Sequence, residues 1–192
     1  MKKSVNKLIY VLALFFAFSS CEKAPLGTTK HTDEWLKNKS DAKLAFTSNT
    51  GQKEELAITV TESTRTSSGK NIPTTYQVYT LTYTGKQADL GLVVQAEHNA
   101  IRIRNIGQSG FDTNFVDFTT GKSPADEVTL GHDVEAELTD NLTLNGVRYD
   151  RVLRLKFFLP SNRPDKIKEI YYAKNHGLVY FQTTDGQYWA LD

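Results

Sequence analysis

Cys21 is the only cysteine in the chain. With no second thiol no internal disulfide can form, and a lone exposed thiol is a liability in an oxidising compartment. It is therefore expected to be capped. The histidines are His31, His98, His132 and His176, and none has a partner at a spacing that would itself suggest a metal site. Asp133, Glu135 and Glu137 alternate along one stretch and could offer oxygen ligands to a cation. The intervening Val134 and Ala136 point to a core, which makes a solvated acidic face the simpler reading. No metal site is assigned.

Nucleophilic and nucleotide chemistry leave no pattern either. Neither the G-x-S-x-G elbow nor the G-x-G-x-x-G fingerprint occurs. Gly121-Lys122-Ser123 mimics the end of a phosphate-binding loop, but Val116 stands where its first glycine belongs. No catalytic or cofactor-binding residue is assigned, and the chain is read as a non-enzyme without a cofactor.

The residues before Cys21 say what caps it. Lys2, Lys3 and Lys7 form a positive start, Leu8 to Phe18 an apolar run, and Ser19-Ser20 a small-residue exit. These are the three zones of an export signal, and the run is too short to span a bilayer, which takes about 17 to 25 residues. Phe18-Ser19-Ser20-Cys21 resembles the lipobox of bacterial lipoproteins, with Phe18 in place of the usual leucine and Ser20 in place of glycine or alanine. The resemblance implies cleavage before Cys21 and a lipid on its thiol. Two or three acyl chains, at about 0.8 kcal/mol per buried methylene, would anchor it stably.

Removal of residues 1–20 takes away three lysines and no acid, leaving 20 basic and 22 acidic residues. That balance argues against nucleic acid as a partner. Residues 21–32, with Pro25 and Gly27 among mostly polar neighbours, read as a flexible tether. Residues 33–192 are expected to form a single domain, large enough for a full core.

Alternation of period two dominates that domain. Leu56, Ile58 and Val60 alternate with Ala57 and Thr59, and Tyr79, Leu81 and Tyr83 with Thr80 and Thr82. Leu90, Leu92 and Val94 precede a turn at His98-Asn99, after which Ile101 and Ile103 alternate with arginines. Leu153, Leu155, Phe157 and Leu159 oppose Arg154 and Lys156. Asn145-Gly146 and Asp185-Gly186 are the dipeptides of two-residue primed turns. The expected fold is all-β, with about ten antiparallel strands in a curved half-barrel, barrel or sandwich. One short helix is expected at Asp33 to Asn38, capped by Asp33. Residues 105–125, carrying Phe111, Phe115 and Phe118 between glycines, read as a long loop with aromatic anchors.

The tail supplies a second resemblance. Tyr171-Tyr172-Ala173-Lys174, Gly177-Leu178-Val179-Tyr180-Phe181 and Asp185-Gly186-Gln187-Tyr188-Trp189-Ala190-Leu191 are similar to the ends of uncharacterised envelope lipoproteins of the Bacteroidota. The likeness implies antiparallel strands and no activity. In such a bacterium the triplets Asn38-Lys39-Ser40 and Asn141-Leu142-Thr143 are coincidental matches to a glycosylation signal. Glu22 occupies the position where an aspartate would retain a lipoprotein in the inner membrane. The outer membrane is the expected location, with the periplasmic and surface sides both open.

Two functions fit these readings. One is a structural or accessory module held at the membrane by the lipid on Cys21, docking on an envelope protein partner. The other is a carrier that binds a lipid or other apolar ligand in the concave face of the sheet.

Overall fold

The computed structural model describes residues 24–67, 73–86, 90–105, 114–117, 128–129, 134–157 and 167–192. Residues 1–20, Cys21, Phe111, Phe118, Gly121-Lys122-Ser123, His132, Asp133 and Leu159 lie outside them. The fold is all-β, as the alternation predicts. The strands are β1 (Ala42–Ser48), β2 (Lys53–Ser67), β3 (Thr74–Thr84), β4 (Leu92–Glu97), β5 (Ala100–Asn105), β6 (Asn114–Asp117), β7 (Val128–Thr129), β8 (Val134–Leu144), β9 (Val147–Phe157), β10 (Ile167–Ala173), β11 (Gly177–Thr183) and β12 (Tyr188–Leu191). Among the described residues one helix, α1 (Lys30–Trp35), precedes them.

All twelve strands belong to one sheet, ordered β7-β6-β5-β4-β3-β2-β1-β12-β11-β10-β9-β8, and every ladder between them is antiparallel. Neighbouring strands in the sheet are consecutive in sequence except β1 and β12, where Phe46, Thr47 and Ser48 face Leu191, Ala190 and Trp189. The sheet is curled into a half-barrel. Tyr83 of β3 and Tyr172 of β10 show why it must be. Five strand spacings, about 24 Å in a flat sheet, separate their strands. Yet a Cβ placed on Gly177 would lie 3.7 Å from one hydroxyl and 3.9 Å from the other.

Alternation decides which side chains fill the curl. Leu56 and Ile58 of β2, Leu81 and Tyr83 of β3, Leu92 and Val94 of β4, and Leu153 and Leu155 of β9 join one buried cluster. Phe46 packs edge-on against Phe181, with ring centroids 5.4 Å apart, and Phe181 stacks on Trp189 at 5.9 Å. Burying each such ring contributes roughly 1.5 to 3 kcal/mol, and edge or offset ring contacts add to it.

Four sequence expectations are corrected. The helix starts at Lys30, not Asp33, because Thr29 adopts an extended conformation and its side chain accepts from the Thr32 amide. Asp33 lies in the first turn instead. The supposed tether is docked from Leu26 onward. The β3–β4 ladder reaches back only to Tyr79, and Leu26 takes the vacated edge: its amide donates to the Thr75 carbonyl, and the Gln77 amide donates to its carbonyl, both at 2.9 Å. Backbone groups, not side-chain burial, hold that segment, which is why its polar composition misleads. Within 105–125, read as loop throughout, β6 pairs with β5. Finally, Asp185-Gly186 is not a two-residue primed turn. Only Gly186 has positive φ (89°), and Thr183 pairs with Gln187 across a longer reversal in which the Gly186 amide donates to Thr183. This is the pattern of a turn followed by a left-handed residue. Asn145-Gly146, with φ of 48° and 79°, is the primed turn expected.

Candidate functional site

Helix α1 closes one end of the curl. Trp35 and Leu36 enter the core, the buried Thr32 hydroxyl donates to the His98 carbonyl at 2.8 Å, and the Asn175 amide donates to the Glu34 carbonyl at 2.6 Å. Lys174 adds an ion pair to Glu34 at 2.9 Å. The plug therefore ties the β4–β5 turn to the β10–β11 turn. The inner face is committed to packing: Trp189, Tyr83, Tyr172, Phe46 and Phe181 are its largest fully buried side chains.

The outer face of β9 to β12 is different. Cross-strand register sets Arg154 opposite Tyr171 and Tyr171 opposite Tyr180. Tyr171 and Tyr180 stack with centroids 4.5 Å apart and planes at 24°. Tyr180 then meets Tyr188 diagonally at 5.8 Å and 27°. The Arg154 guanidinium lies 5.9 Å from the Tyr171 ring centre and closes the other end. The result is a column of three phenols and one guanidinium standing across four strands. Tyr188, at its open end, is 42% exposed.

A β-bulge builds the column. Between Tyr172↔Leu178 and Tyr171↔Tyr180 the register shifts by one residue, Val179 being the extra one. Strict alternation from Leu178 would send Tyr180 inward. The bulge turns it outward and returns Phe181 to the core, the re-aiming for which bulges are used.

Charges finish the surface. Arg154 pairs with Glu169, which is only 7% exposed, and with Glu137 at 3.3 Å. The hydrogen bond to Glu169 raises the Arg154 pKa, keeping it a fixed cation. Burial raises Tyr171, and burial with Tyr171 beside it pushes Tyr180 up to about 12. At neutral pH these phenols are hydrogen-bonding groups, not bases. Lys156 meets Glu135 at 3.5 Å, and a shallow depression lies among Glu135, Glu137, Arg154 and Lys156.

The acidic stretch singled out in the sequence is thus paired across β8 and β9: Glu135 and Glu137 each face a cation. Among the described residues no group of three or more His, Cys, Asp or Glu could hold a metal. The described histidines are apart. His31 is 3.8 Å from Glu34, His98 bonds the Gly27 carbonyl through Nδ1, and His176 sits edge-on to Tyr149 at 5.0 Å. Sequence reading missed the tyrosine column. Tyr171, Tyr180 and Tyr188 stand in the tail segments, which the sequence marks only as antiparallel strands.

Among the described residues no helix is long and apolar enough to cross a membrane. No protein-family model matches the chain, and neither does any curated protein or solved structure.

Proposed function

We propose that this protein is an accessory lipoprotein of the bacterial envelope, anchored through Cys21 in the outer membrane. It docks on a protein partner through the outer face of β9 to β12. The column of Tyr188, Tyr180, Tyr171 and Arg154 carries this reading. Tyrosine and arginine are the residue types that concentrate binding energy at interfaces, and here they stand pre-ordered on the face where alternation otherwise calls for small polar groups. Stacking fixes their rotamers before any partner arrives, which lowers the entropy cost of association. The packed inner face supports docking over the carrier alternative, because its largest rings already fill the space a ligand would need. Anchoring would raise the effective concentration near a membrane-held partner.

A photo-crosslinking amino acid placed at Tyr188 tests the reading in intact cells. A discrete adduct is expected, absent when the same group stands at exposed Glu55 on the outer face of β2, and lost with Tyr180→Ala. Equal labelling at both positions, or none at Tyr188, would refute it. The anchor is tested separately: Cys21→Ala should move the protein from the detergent phase to the aqueous phase.

A further inference from the structure

The β2–β3 hairpin is longer than its neighbours. β1 pairs with β2 only as far as Ile58, and β4 with β3 only back to Tyr79. Beyond both, Ser63 to Ser67 pair with Val78 to Thr74. This arm, edged on its β3 side by Leu26, runs about 17 Å beyond those two ladders, at about 3.4 Å per residue. Every residue from Thr61 to Ser67 is exposed. Thr74 to Gln77 opposite are half-buried, but the β2 side buries nothing and gains little by projecting unless something lies beyond it.

The course of the N-terminal segment says what lies there. Leu26 pairs with Tyr76 in parallel, so the chain preceding Leu26 runs toward Thr74, the outer end of the arm. Five Cα–Cα steps lead from Cys21 to Leu26, a reach of at most about 18 Å. A lipid on Cys21 would enter the bilayer beside the end of the arm and not elsewhere on the domain. Two further observations agree. Among the arm's described residues, Ser63 to Ser67 and Thr74 to Val78, Arg65 is the one charged side chain. Of the three exposed large hydrophobic residues among those described, Leu26 and Val147, each 43% exposed, lie at this same end of the sheet.

We propose that the arm of β2 and β3 rests on the anionic headgroup layer of the membrane that holds Cys21. The half-barrel then stands with its strands rising from the bilayer. This placement rests on the lipid-anchor reading above. The turns at 49–52 and 184–187 are lifted away from the surface, together with Tyr188 beside them. Arg65 is tied to Glu97 at 3.1 Å yet 59% exposed, so it can meet phosphate without leaving its partner.

Two labels on one strand test this. Because the lipid consumes the native thiol, Thr66→Cys or Lys53→Cys gives full-length acylated protein a single reactive cysteine. Thirteen residues, about 43 Å of strand, separate the two. Each variant, carrying a fluorophore, is reconstituted in vesicles of phosphatidylcholine and phosphatidylglycerol in equal parts with nitroxide on the headgroups. The label at Thr66 should be quenched several-fold more than that at Lys53. Protein that floats with the vesicles but shows equal quenching, or none, overturns the arm while sparing the anchor. Protein that does not float overturns both.

Discussion

The hydroxyls of Tyr83 and Tyr172 meet beside Gly177, from strands five places apart in one sheet. Leu178 supplies a backbone hydrogen bond to Tyr83, while the buried Tyr172 hydroxyl has no partner of hydrogen-bonding geometry. Burial pushes Tyr172 from the ordinary 10.0 up to about 12 and raises Tyr83 well above its usual value. A folded pKa above the unfolded one means the native state holds its proton longer. Stability is therefore complete below the unfolded value and falls as pH rises through the window from 10.0 to about 12. Stability against urea should decline over that range. Tyr172→Phe, which also removes an unsatisfied hydroxyl, should flatten the decline. An unchanged alkaline profile would count against the pairing.

Gly186 holds φ at 89° with nothing within 4 Å of a would-be Cβ. Strain alone, without a clash, should make Gly186→Ala cost about 1 kcal/mol. The urea midpoint should fall while the slope stays constant. A neutral result would mean the β11–β12 reversal takes another conformation in solution.

Arg154→Ala should cost about 2 kcal/mol, between the value of a surface ion pair and a buried one. Glu169 is nearly buried, but Arg154 is partly open to solvent. Glu169→Gln should cost less, since an amide tolerates burial better than an unpartnered carboxylate. Urea titration of the two variants checks the order, and a larger loss in Glu169→Gln would contradict the account.

Helix α1 can be watched directly, because Trp35 and Trp189 are the only tryptophans. Trp189→Phe leaves Trp35 as the sole indole. Its emission should be blue-shifted and protected from acrylamide if the plug is docked. An exposed, red-shifted spectrum would mean that the helix is undocked and would restore the tether reading for residues 21–32.

The strands were legible because their signal is local. Leu153, Leu155 and Phe157 alternate with Arg154 and Lys156, and the buried side follows. What stayed hidden depends on partners. Leu26 looks like linker because its contribution is two backbone hydrogen bonds to a strand fifty residues away in sequence. Tyr180 looks like a core residue from Leu178 onward until the extra Val179 reverses its side. No periodicity can announce a bulge, because the inserted residue breaks the period that would reveal it. The tyrosine column needs that bulge together with the registers of two further ladders, and none of these is written in a single segment.

The pairing of β1 with β12 has a consequence in time. Every other described ladder joins strands adjacent in sequence, so two meanders, β1 to β7 and β8 to β12, can each zip from local turns at little loop-closure cost. The ladder that joins them is Phe46↔Leu191, Thr47↔Ala190 and Ser48↔Trp189, about 145 positions apart. That seam is where the folding search is longest. It is also where a parted molecule could accept the β12 of a neighbour in place of its own, so crowded, partly folded chains would exchange strands at this joint before any other.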